Sequence, residues 1–65
     1  MAIDVSVLTK LIGSTIVVVY NESGEEMAIT GYVEDVINET LVISTRANTY
    51  FIDANNINKI KIKRV

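Results

Sequence analysis

Asn38, Asn55, Asn56, Lys59, Lys61 and Lys63 are the residues whose types and spacing suit contact with a ligand. Each asparagine amide presents a donor beside an acceptor, the pattern that reads the edge of a nucleobase. The lysines recur at every second residue, so an extended strand carries all three ammonium groups on one face, within reach of successive phosphates. Arg46 adds a cation inside a polar turn, Thr45-Arg46-Ala47-Asn48. Plainer roles exist for all of them. Asparagine is a good turn former, and lysines on an edge strand discourage unwanted pairing.

Tyr20, Tyr32, Tyr50 and Phe51 have rings that stack on bases in many nucleic-acid-binding barrels, yet aromatic residues in so small a chain are commonly core or interface. Tyr32 is the one expected outside, because it alternates with Ala28 and Thr30. Glu34 and Asp35 are adjacent, and neighbouring strand residues point to opposite faces, so they form no two-carboxylate site. The sequence holds no histidine, no cysteine and no glycine-rich phosphate loop. We therefore expect a non-enzymatic protein without metal, cofactor or disulfide.

With 65 residues there is room for one core, and the expectation is a single domain over residues 1–65. A domain this small needs staples or partner subunits, and only partners are left here. A 49% apolar content and a mean hydropathy of +0.34 agree, since a surplus of apolar surface marks an interface. The net charge of −2 is uneven: residues 1–58 carry eight acids against Lys10 and Arg46, a net of −6, and residues 59–65 carry +4. That balance opposes indiscriminate DNA binding and leaves a local anion site. The apolar run Ile16 to Val19 is too short to span a bilayer, and no signal-peptide pattern is seen, so the expected location is the cytoplasm.

The elements that position these residues follow from local pattern. Asp4 suits a helix N-cap, with Ile3, Val7, Leu8, Leu11 and Ile12 forming an apolar face, Lys10 in the last turn and Gly13 after it. Thr15 to Tyr20 is β-branched and apolar on both faces, and Asn21-Glu22-Ser23-Gly24 is a hairpin turn. Glu25 to Val36 reads as one long strand that bends at Gly31, with Met27, Ile29 and Val33 facing the core. Further strands are expected at Thr40 to Ser44, at Thr49 to Asp53 with apolar neighbours on both faces, and at Ile57 to Lys63 with Ile60 and Ile62 inward. In the turn between the first two of these, Asn48 suits a positive φ. Ala54-Asn55-Asn56 closes the turn between the last two. The fold class is mainly β: a short N-terminal helix, then a five-stranded, strongly bent antiparallel small barrel of the SH3-like class.

In element order and in several residues the chain resembles the Sm-like family, which includes Sm, LSm and Hfq-like proteins. The resemblance rests on Leu11-Ile12-Gly13, on Gly31-x-Val33-x-x-Val36-x-x-x-Thr40-Leu41-Val42-Ile43, and on Ile52-x-x-x-Asn56-Ile57-x-x-Ile60, and it spans nearly the whole chain. It implies a homo-oligomeric ring of roughly five to eight copies, joined by the fourth strand of one copy and the fifth of the next. It also implies single-stranded RNA bound near Asn38 and Asn56, with Arg46, Asn55 and the lysines of the last strand as further contacts. Asp53 stands where the family pattern places an arginine, and Asn38 alone represents the usual aspartate and asparagine pair. The function implied is thus weak RNA binding or altered specificity. The alternative is the same ring or barrel acting as a protein-protein assembly module without nucleic acid.

Overall fold

The computed structural model describes residues 4–63. Ile3, assigned above to the helix face, and Arg64, one of the four cations counted over residues 59–65, lie outside the described residues. Within them the protein is mainly β: helix α1 (Val5–Thr9), then β1 (Thr15–Glu22), β2 (Glu25–Ile37), β3 (Thr40–Ser44), β4 (Thr49–Asp53) and β5 (Ile57–Ile62), with a 3-10 turn over Ala54–Asn56.

Asp4 starts the helix by accepting from the Ser6 backbone N–H at 3.0 Å and from its hydroxyl at 2.9 Å. This satisfies one of the donors left unpaired at a helix N-terminus. Leu8 and Leu11 are buried while Val7 and Ile12 are exposed, so the apolar face is narrower than the spacing suggested. After the helix the chain reverses at Gly13, whose φ of +93° suits glycine. Two hydrogen bonds at 2.9 Å, Gly13 N–H to Val33 O and Val33 N–H to Ser14 O, then clip the helix exit to β2.

All neighbouring strands run antiparallel in the order β4-β3-β2-β1-β5. The β1–β2 hairpin turns through Ser23 and Gly24, with φ of 53° and 83°. Positive φ at both central residues matches the right-handed twist of the strands, and glycine accepts it without strain. Side chains then alternate in rows. Val18 lies between Ile29 and Ile60, and Ile16 between Gly31 and Ile62, on the face that holds the core. Ile16, Val18, Val33, Leu41, Ile43 and Ile57 are fully or almost fully buried there. These branched side chains suit the pleated surface they cover.

Gly31 is needed for closeness, not for φ. A Cβ at this position would lie 2.6 Å from the Ser44 carbonyl oxygen and 2.9 Å from Ile43 Cγ1. The expected bend is thereby explained: β3 folds tightly over β2 where no side chain intervenes. Just beyond it, the β2–β3 register shifts between Val33 and Asp35, a bulge that sharpens the bend.

Several expectations are corrected. The sheet is not closed into a barrel: among the described residues β4 and β5 do not pair, and they form its two edges. Some inner-face side chains are left uncovered: Met27, on the half of β2 that β3 does not reach, is 41% exposed and Ile62, on the β5 edge, 53%, although alternation places both with the core. Phe51 points to the outer face, where Val42 of β3 lies opposite it, yet it is 67% exposed, so that face has an apolar neighbour beside it in the sheet and solvent above it. The positive φ falls at Asn38, at 55°, and not at Asn48.

Candidate functional site

Two turns carry the three asparagines, and the fold ties them together. The first is the two-residue connection between Ile37 and Thr40, which are paired across the β2–β3 hairpin. Asn38 takes its left-handed conformation, which asparagine tolerates better than most residues. The second is the 3-10 turn, where Asp53 accepts from the Asn55 N–H at 2.8 Å. Ala54 N–H then donates to the Glu39 carbonyl oxygen at 2.7 Å and joins the two turns. The side chains of Asn38, Asn55 and Asn56 are exposed at this end of the sheet, with no hydrogen-bond partner among the described residues. Three solvent-facing amides can therefore offer donors and acceptors together.

Asp53, which occupies the place of an expected cation, has a local task. Its carboxylate caps the turn, as Asp4 caps the helix, and this orients the loop that presents Asn55 and Asn56.

The cations are not gathered with the amides. Arg46 lies in the β3–β4 turn, closed by Thr45 N–H to Asn48 O at 2.8 Å and by Asn48 N–H to Thr45 Oγ1 at 3.1 Å. The β2–β3 connection and the 3-10 turn lie at one end of strands β3 and β4, and the Arg46 turn lies at the other. Lys59 and Lys61 stand on the outer face of β5, opposite Val19 and Val17, and Lys63 N–H bonds to the Thr15 carbonyl oxygen at 2.9 Å. All three lysines are exposed, and the expected one-sided row is present. Tyr32 is also exposed, on the same outer face.

A concavity of about 620 Å³ lies between the β1–β2 turn and β4, lined by Tyr20, Glu22, Tyr50, Phe51, Asp53 and Asn56 among others. Among the described residues, Glu22 and Asp53 and the aromatic residues Tyr20, Tyr50 and Phe51 line it, and no cation does. Burial pushes the Tyr20 phenol up from its ordinary value, and the nearby Glu22 and Tyr50 add to the shift. Here the phenol stays neutral.

The expected placing of Glu34 and Asp35 on opposite faces is corrected: the bulge makes Glu34 the extra residue and sets Asp35 opposite Val42, so both carboxylates lie on the outer face, each with its own partner. Glu34 accepts from the Ser44 hydroxyl at 2.7 Å and Asp35 from the Val36 N–H at 2.8 Å. Among the described residues no group of histidine, cysteine, aspartate or glutamate is placed to hold a metal ion, and no helix is long and apolar enough to cross a membrane.

Sequence reading overlooked Asn58. The β1–β5 register shifts next to Tyr20, and Asn58 is the extra residue. Its amide exchanges two bonds at 3.3 Å with Asn21 and reaches Glu26 at 3.0 Å. The available signal was an asparagine that interrupts an otherwise alternating strand. Compared with protein-family models, with curated proteins and with solved structures, the chain gives no match.

Proposed function

We propose that the chain is a homo-oligomeric Sm-like module whose copies join at the β4 and β5 edges into a ring and bind single-stranded RNA. The observation that carries this reading is the bond between the Asn38 turn and the 3-10 turn, which collects Asn38, Asn55 and Asn56 at one end of the sheet. In a ring that end repeats once per copy, so weak contacts to bases add along a strand. Binding at the amides is weak per site, because the cations lie elsewhere and phosphate contacts supply most of nucleic-acid affinity. Two unpaired edges on one small sheet support head-to-tail joining, which removes both.

Size-exclusion chromatography with light scattering, read at protein and nucleic-acid wavelengths, tests the ring. A mass of roughly five to eight copies is expected. A combined Asn38→Gly, Asn55→Ala and Asn56→Ala variant tests the site, since glycine keeps the positive φ while removing the amide. It is expected to keep the oligomer's mass and lose binding to a labelled uridine- or adenine-rich oligonucleotide at low salt. Unchanged binding overturns the assignment of the asparagines.

A second reading, a protein-assembly module without nucleic acid, is favoured by the carboxylates and aromatic rings of the concavity beside β4. An oligomer that binds no oligonucleotide at low salt and co-purifies with a protein partner would replace the first reading by this one.

A further inference from the structure

Phe51 is the most exposed of the large apolar side chains among the described residues, and it sits at the centre of an edge strand. Its face is set by the register. Ile52 and Tyr50 lie opposite Leu41 and Ile43 on the core side, so Thr49, Phe51 and Asp53 lie on the outer side. On the other edge, Ile60 and Ile62 lie opposite Val18 and Ile16 on the core side, which leaves Lys59, Lys61 and Lys63 outside. When two strands pair within one sheet, inner residues meet inner residues and outer meet outer. The outer positions from residue 59 to residue 63, in β5 and just after it, are all lysine. Any joining of β4 to this segment as one continued sheet therefore places Phe51 beside a lysine, whatever the register or direction.

We infer that Phe51 of one copy packs against the lysine stems of β5 in the next, and that this contact, with Asp53 facing a second lysine, holds the copies together. The inference rests on the ring reading and adds which outer-face side chains hold the joint. The chemistry of the two edges is complementary. An aromatic face attracts an ammonium group, and the aliphatic stem of lysine covers apolar surface while its charge stays in water. Asp53 supplies the opposite charge on the same outer face, and Glu22 adds acid in the adjoining concavity. On the inner side, Tyr50 and Ile52 meet Ile60 and Ile62, and the exposed Ile62 is covered. The lysines then serve assembly, and the asparagine end is left to the RNA.

The test is the mass of the full chain by light scattering across a dilution series, for the wild type, for Phe51→Ser, and for the triple lysine variants to glutamine and to arginine. Phe51→Ser and the glutamine variant are expected to dissociate at a concentration about tenfold or more above the wild type, while the arginine variant, which keeps charge and stem, remains assembled. Circular dichroism of each diluted variant is expected to show a folded sheet. Wild-type protein that is monomeric at every concentration overturns the ring and this contact together. An assembled wild type whose mass is untouched by both substitutions overturns the contact alone. Variants that keep their mass but release a bound oligonucleotide assign Phe51 and the lysines to the RNA surface instead.

Discussion

The middle of the sheet and its two edges follow different rules. In β3 the residues Leu41, Val42 and Ile43 are all buried, on both faces, and no substitution there escapes the core. In β4, one hydrogen-bonded ladder away, only Ile52 is buried, and the neighbouring Phe51 faces solvent. Stability resides where a strand has neighbours on both sides. Partner contacts are available where it has one.

The largest expected effect tests that contrast directly. Ile43→Ala removes a fully buried side chain and is expected to cost about 2–5 kcal/mol. A domain of this size has little more than that in total, so loss of the folded state is the expected outcome in urea titration. Phe51→Ser is expected to stay within about 0.5 kcal/mol in the diluted monomer. Equal losses at the two positions would break the comparison.

Gly31→Ala comes next, at about 1–3 kcal/mol, because the new methyl meets the Ser44 carbonyl and β3 must move. Thermal melts at matched protein concentration check this, with no disulfide or proline in the chain to complicate them. Asn38→Val is expected to cost about 1–2 kcal/mol through its positive φ, with Asn38→Gly close to neutral. If valine and glycine melted alike at this position, the turn would not be restrained as described.

The smallest effect is a pH dependence at the seam. The folded phenol of Tyr20 has its pKa raised above the ordinary 10.0, so the native state holds that proton more tightly than the unfolded chain. Its contribution is fully present below pH 10.0 and declines as the pH rises through the higher folded value. Thermal melts are therefore expected to fall above pH 10, less steeply for Tyr20→Phe.

The limits of β3 and β4 could be read from the sequence because each run of branched or aromatic residues is bracketed by turn formers, and Thr40–Ser44 and Thr49–Asp53 stand as expected. β1 and β2 extend further than the apolar pattern. Asn21 and Glu22 continue β1 through backbone pairing with Glu26 and Glu25, which needs no apolar side chain. Closure of the sheet was not legible, since alternation says which face a residue takes and nothing about whether two distant edges meet. The lysine row was legible for the same reason that closure was not. The division of the site was half visible: chain reversals alone place Arg46 and Asn38 at opposite ends of β3. The bond from Ala54 to Glu39 joins backbone groups, and no side chain signals it.

The pairing of β1 with β5 has a kinetic consequence. Ile16 meets Ile62 across most of the chain's length, so this ladder forms only after nearly all of the sequence is available. Contacts of such long sequence separation form late and slow folding. Until then β1 presents an open flank to other nascent chains, and a β5 segment from a neighbour fits it as well as the chain's own. Refolding at high protein concentration is therefore expected to yield some chains that have exchanged β5, seen as a concentration-dependent slow phase.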